Sequence, residues 1–210
     1  MADELIDIFD ENMNFLGTVM KSQAHREGLW HKTFHCWLAQ KTEEGKTMLW
    51  LQLRKHNKDI FPNKLDITAA GHIKAGEEVK DGYREIEEEL GIKLNKDEII
   101  KLFTSKEIYE IENINNREFQ MVYMAMVSGS PYKAVLQPEE VEGLYEVDIN
   151  EFTDLLDEKL EKIEAKGIKL NPDRTYTMEY RDIIKSDVAP HSKDYYKKAL
   201  DMIKRYVDNI

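Results

Sequence analysis

Residues 71–92 read Gly71-His-Ile-Lys-Ala-Gly-Glu-Glu-Val-Lys-Asp-Gly-Tyr-Arg-Glu-Ile-Glu-Glu-Glu-Leu-Gly-Ile92, and this stretch decides the fold. It opens on glycines, as a turn does, and then takes on a helical pattern. On a helix over 78–90, Glu85, Glu88 and Glu89 stand at i, i+3 and i+4 and share one face. Val79, Tyr83, Ile86 and Leu90 form an apolar stripe turned away from those carboxylates. Gly91 is a natural stop, because glycine accepts the left-handed cap conformation. Carboxylates crowded on one face repel one another by roughly a few tenths of a kcal/mol per pair. A hard divalent cation, Mg2+ or Mn2+, offsets that repulsion and takes phosphate oxygens as further ligands.

The rest of the composition sets limits on the function. A chain of 210 residues, 41% hydrophobic, suffices for one generous domain or a domain with an appendage. Its net charge of −11, from 41 acidic and 30 basic residues, leaves no electrostatic footprint for nucleic acid. An anionic small-molecule substrate therefore needs local cations to offset the global field. The single cysteine excludes an internal disulfide and suits a reducing cytoplasm. The opening Met1-Ala-Asp-Glu-Leu has no basic region followed by an apolar run, and no segment approaches the ~20 apolar residues of a membrane span. A cytoplasmic protein without membrane or nucleic-acid partners is expected.

Taken in order, residues 4–20 read as a hairpin around the polar Asp10–Asn14 turn. Residues 32–40 alternate, with Phe34, Cys36 and Leu38 on one face and His35, Trp37 and Ala39 on the other. With 47–54 they form a pair of core strands. Strands are expected over 99–111 and 118–127 around a polar connection at 113–116, then a loop at 128–131 and a strand at 143–148. A helix is expected from Asn150 towards Gly167 on the spacing of Phe152, Leu155, Leu156, Leu160 and Ile163. Two more are expected, over 178–184 and from the cap Ser192 to about Val207. Residues 1–165 thus read as an α+β unit and 166–210 as a helical extension. That extension packs on the unit or on a second subunit of a homodimer.

The opening stretch resembles the Nudix box. Gly71 and Glu77 have that signature's separation, and Arg84-Glu-Ile-Glu-Glu-Glu-Leu-Gly-Ile92 matches its second half at every defined position. One residue is missing between Glu77 and Arg84, so the lead into the helix should be tighter than usual. The resemblance implies the Nudix fold, a mixed β-sheet sandwiched between helices. It also implies a metal held by Glu85, Glu88, Glu89 and the Gly71 carbonyl, with Arg84 and Glu77 bracing the helix. Over residues 4–157 the chain is similar to the branch that contains isopentenyl-diphosphate isomerase. Lys21, Arg54 and Lys58 stand where that enzyme grips its diphosphate, and a forked guanidinium and compact ammonium ions suit phosphate oxygens. His25, His31 and His72 match its three metal-binding histidines. His25 and His31 are one residue closer than usual, and of its two glutamates only Glu118 remains, with Asn116 in the other place.

The isomerase also needs a cysteine just before Gly71, and this chain has Ala70. Alanine transfers no proton, and Cys36 reads as an inert core residue. The expected reaction is therefore hydrolysis of a diphosphate linked to another group. Water attacks phosphorus with a metal bridging phosphate oxygens, and Glu88, Glu139, Glu140 and Glu118 are candidates for the general base. An isomerase of unusual chemistry and a catalytically silent binding module are the alternatives. Trp30, Trp37, Trp50 and Tyr109 read either as core or as stacking platforms for a nucleobase.

Overall fold

The computed structural model describes residues 3–111 and 114–210. Among them the chain runs β1 (Leu5–Phe9), β2 (Phe15–Met20), α1 (Lys21–Glu27), β3 (Trp30–Lys41), β4 (Thr47–Arg54), β5 (Leu65–Asp66) and β6 (Ala69–His72). It continues through α2 (Arg84–Leu90), β7 (Ile100–Ile111), β8 (Ile114–Met126), β9 (Val141–Asp148), α3 (Ile149–Leu156), β10 (Ile163–Leu170), β11 (Tyr176–Ile183) and α4 (Lys193–Asp208).

β3 is the spine of one mixed sheet. Because its side chains alternate, it serves two cores at once. Phe34, Cys36 and Leu38 join Ile86 and Leu90 of α2 on one face. Trp37 and Ala39 join Phe152 of α3 and Tyr195, Ala199 and Ile203 of α4 on the other. This is the expected α+β architecture, with the mixed sheet sandwiched between helices.

The edges of β3 create the cleft. Along one edge β8 runs parallel to residues 30–39. The other edge is shared by β1 at 30–31, β6 at 33–36 and β4 at 38–41. Beyond Trp50, β4 leaves β3 and pairs on that edge with β5 instead, while β9 follows its other edge from Met48 to Arg54. The sheet therefore splits beside β6, and the split opens towards α2.

Several local readings hold, and others are corrected. The hairpin, the 47–54 strand and α4 with its Ser192 cap all form, and the Ser192 hydroxyl accepts from Tyr195 N. Residues 114–116 already belong to β8, so the polar connection expected at 113–116 does not extend over them; residue 113 lies outside the described residues. The helix expected over 78–90 divides into a 3-10 turn, Val79–Tyr83, and α2. That turn is the tighter lead expected from the missing residue, since a 3-10 turn rises faster per residue. Gly82 permits it, because a Cβ there would collide with Phe34.

The helix expected from 150 to 167 stops at Leu156. Glu158 takes a positive φ of 61°, Leu160 is exposed, and Ile163 begins β10. Residues 178–184 are not helical either: they lie in or beside β11, which pairs along the whole length of β10. The hairpin between them turns on Asn171, whose backbone N–H reaches Thr175 O at 2.9 Å. Residue 165 therefore lies inside β10, and the segment after it contributes strand as well as helix. The apolar stripe of α4, with Tyr195, Tyr196, Leu200 and Val207, is buried within this same chain.

Candidate active site

Arg84 opens α2 and organises the mouth of the cleft. Its Nε and Nη2 donate to the two Glu77 oxygens at 3.2 and 3.3 Å, and its Nη2 also donates to the His72 carbonyl at 3.1 Å. Its Nη1 reaches the Glu85 carboxylate and, at 3.3 Å, Glu88. At Gly71 the absence of a side chain lets the Glu85 carboxyl lie against the backbone, where a Cβ would displace it. Gly91 ends α2 in the left-handed conformation, φ 66°. Residues 135 and 137 then hydrogen-bond back to the carbonyls of Leu90 and Glu89, which brings Glu140 to the cleft.

Glu85, Glu88 and Glu89 line one cleft with Gly71, as the helical spacing predicts. Glu89 is buried, and among the described residues its carboxylate accepts only from Gln52 Nε2 and Ala70 N, both at a long 3.4 Å. Burial, reinforced by Glu85 and Glu140, pushes its carboxyl well above the usual range, and burial raises Glu85 too. Carboxylates so poorly compensated fit a divalent cation.

Three imidazoles meet beside them. His25 from α1, His31 from β3 and His72 from β6 place one ring nitrogen each within 4.8 Å of the others. His31 Nδ1 donates to the Leu29 carbonyl at 2.9 Å, so its buried Nε2 carries a lone pair and finds no partner among the described residues. His25 Nε2 lies 3.1 Å from His72 Nε2. Burial lowers all three, His25 to about 4, so the rings are neutral at pH 7. Three neutral rings this close, one oriented by a backbone carbonyl, could hold a metal ion. Glu118 sits opposite His31 on β8, and its two oxygens accept from the side-chain amides of Asn116 and Gln120.

Lys21, Arg54 and Lys58 all line the cleft, but two of them are engaged within the protein. Arg54 donates to Asp66 at 3.2 Å and to the Ile60 carbonyl at 2.9 Å, while Lys58 pairs with Glu140. Glu139 is exposed and absent from the lining, so of the two loop acids only Glu140 reaches the site. Trp30, Trp37 and Trp50 are core residues rather than stacking platforms, and only Tyr109 of the four aromatics borders the cleft. Cys36 is fully buried and burial pushes its thiol up, as expected of an inert residue.

Sequence reasoning missed the far end of the cleft. There His191, from the segment before α4, accepts from the Tyr109 hydroxyl at 2.8 Å and donates to Asp66 at 2.7 Å. No local spacing announces this, because His191 is separated from Asp66 by 125 residues. A buried histidine flanked by Pro190 and the Ser192 cap was the available signal.

A family model described as the NUDIX domain matches residues 29–170. An uncharacterised Nudix hydrolase of Clostridium acetobutylicum is 39% identical over 201 residues, spanning 95% of this chain and 97% of the relative. An isopentenyl-diphosphate Delta-isomerase of Aliivibrio fischeri is 30% identical over 176 residues, 81% of this chain and 87% of that one. The crystal structure of DR0079 from Deinococcus radiodurans superposes with a TM-score of 0.56 at 20% identity, covering 74% of this chain and 88% of that one, a likeness of fold. With the intact acidic helix on its glycine strand and these relatives across nearly its whole length, the chain belongs to the Nudix hydrolase family.

Proposed function

We propose that this protein is a Mg2+- or Mn2+-dependent hydrolase of a diphosphate linked to another group, such as a nucleoside diphosphate derivative. The observation that carries this reading is the cleft itself. Glu85, Glu88 and Glu89 face it from α2, while Lys21, Arg54 and Lys58 border the same space. Acids that gather a cation, opposite cations that meet phosphate, are what transfer of a phosphoryl group to water requires.

Glu85, Glu88, Glu89 and the Gly71 carbonyl would hold the metal. The metal would supply a bound water of lowered pKa and neutralise charge developing on the phosphate oxygens. Arg84 positions the helix acids against Glu77 and the His72 carbonyl. Arg54 is pre-oriented by Asp66, so its fork loses little freedom on meeting a phosphate. Among the candidate bases, Glu118 is disfavoured, because both its oxygens accept from side-chain amides and its proton affinity is low. Glu140 is held by Lys58. Glu88, half exposed at the mouth, is the best placed. The His25, His31 and His72 cluster would hold a second cation, also near the phosphate. Isomerisation is disfavoured: Ala70 has no proton to transfer, and Cys36 is out of reach in the core.

The test is a screen of nucleotide sugars, dinucleoside polyphosphates, nucleoside triphosphates and isoprenoid diphosphates with Mg2+ or Mn2+, reading released phosphate after a phosphatase. Glu88→Gln should abolish the activity that the screen finds. Activity that persists in Glu88→Gln and Glu85→Gln would move the chemistry away from α2.

A further inference from the structure

A second cavity lies behind the cleft, and His191 borders both. It is a groove of about 500 Å3 between the end of α3, the segment 185–190 and the first half of α4. The cleft holds about 240 Å3, so of the two the groove falls within the ~300–1,000 Å3 of sites for drug-sized ligands. Its floor is apolar, made by Leu156, Val188, Ala189, Tyr196 and Leu200. That floor is tied down on three sides. The Tyr196 hydroxyl donates to the Ala189 carbonyl at 2.7 Å, and Ala189 N donates to the Leu65 carbonyl at 2.8 Å. Lys64 Nζ donates to the Ser186 carbonyl at 2.5 Å. A floor so held loses little freedom when a ligand settles on it.

The rim carries a charge opposite to that of the chain. Lys64, Lys185, Lys193 and Lys197 border the groove against Asp157 and Asp201, in a protein whose net charge is −11. Asp157 is engaged by Lys159 at 3.3 Å, and Lys185 by Glu158 at 2.8 Å. Lys193 and Lys197 make no ion pair among the described residues, and both are exposed. Their positions do not suit the helix itself. Lys193 is its first residue after the cap Ser192, where the helix dipole favours an acid. Lys197 follows four residues later on the same side, where like charges repel. An anion held by both ammonium groups offsets each penalty. An apolar floor under a cationic rim suits a molecule with both characters.

We infer that this groove is a second ligand site, distinct from the cleft, for a small amphipathic anion: a compact apolar ring system carrying one carboxylate. The carboxylate meets Lys193 and Lys197, and the rings lie on Val188, Tyr196 and Leu200. A neutral molecule of the same shape loses the ionic contact, and an inorganic anion loses the apolar one. The site stands on its own residues, whether or not the cleft hydrolyses a diphosphate.

2-Naphthoate and 2-naphthamide share a ring system and differ by one charge. Calorimetric titration of the intact chain should give naphthoate a single site, at least about fivefold tighter than naphthamide. Lys193→Gln combined with Lys197→Gln should weaken naphthoate about fivefold, to the level of naphthamide, without lowering the melting temperature. Lys198→Gln combined with Arg205→Gln removes the same charge from α4 outside the groove and should leave naphthoate within about twofold. Under naphthoate, hydrogen exchange should slow at the Ala189 and His191 amides and stay unchanged over α2. Equal binding of the two probes by the wild type overturns the site, and needs no variant to fold. Equal weakening in the two double variants overturns it as well, because the attraction is then the general field of α4. Protection over α2 in place of residues 186–191 would put naphthoate in the cleft, and the second site would fall.

Discussion

Replacing Arg84 with Met keeps the aliphatic stem and removes the guanidinium. That group makes five contacts: two to Glu77, one each to Glu85 and Glu88, and one to the His72 carbonyl. At about 1.5–3 kcal/mol per charge-assisted bond the sum would exceed 7 kcal/mol, which overstates the effect. Glu88 is 50% exposed and regains water, so its share is close to nothing. Glu77 keeps a bond from Lys74 N at 2.9 Å. Glu85, only 14% exposed, is the carboxylate left uncompensated beside Glu89. Losing one partner of such a pair costs about 3–5 kcal/mol, or roughly 6–20 °C in melting temperature for a chain of this length. A cation bound at the same acids should restore part of this. Mg2+ should therefore raise the melting temperature of the variant more than that of the wild type. Thermal unfolding by circular dichroism with and without Mg2+ measures both. A loss under about 1 kcal/mol, or equal Mg2+ stabilisation in the two proteins, would refute the view that Arg84 offsets the acidic cluster.

Other outcomes follow from the same contacts. Glu89→Gln should raise the melting temperature of the metal-free protein at alkaline pH, because burial, reinforced by Glu85 and Glu140, disfavours the charged carboxylate that the amide replaces. It should also lower turnover by orders of magnitude, and a normal rate would remove Glu89 from the metal site. Stability should fall on acidification. Buried His35 takes a proton only near pH 4 when folded, against 6.5 when unfolded, so below 6.5 the unfolded chain binds more protons. The stability present above pH 6.5 is reduced by about 2 kcal/mol at pH 5 from this residue alone, and a flat denaturation profile between pH 7 and 5 would contradict it. Ile203→Ala on the fully buried face of α4 should cost about 2–5 kcal/mol in urea unfolding; a cost under about 0.5 kcal/mol would mean that α4 is not part of the core. Isopentenyl diphosphate should yield no allylic isomer by NMR, and isomer formed above background would show that Ala70 is no barrier.

The parts legible in the sequence are those encoded locally. The alternation of residues 34–39 named both faces of β3, and the i, i+3, i+4 glutamates named the acidic face of α2. Ser192 announced α4, because a cap hydroxyl acts within three residues. The failures lie where a local pattern had two readings. Phe152, Leu155, Leu156, Leu160 and Ile163 fit a helix by spacing. The backbone turns at Glu158 instead, because Ile163 and Ala165 find their burial in the sheet. The strand 176–183 was hidden by its place at the sheet's edge. Met178 and Tyr180 are exposed there and show no inward face to the eye. The histidine cluster was partly legible by resemblance, while the far end of the cleft was not. Asp66, Tyr109 and His191 come from three distant segments joined only by hydrogen bonds.

That long-range closure bears on how the protein is made. The strands from β1 to β9 can pair as the chain leaves the ribosome, at about 5–20 residues per second. His191 and Tyr195, however, emerge after everything they pack upon, and His35 waits 160 residues for its hydroxyl partner. Until they arrive, the Asp66 carboxylate faces Arg54 without its histidine, and the sheet face that receives Tyr195 and Ile203 is bare. A nascent chain stalled before residue 188 should thus hold its acidic helix in place yet be greasy on one side, a natural client for chaperones. The cleft then closes only once residues 189–207 have joined the sheet.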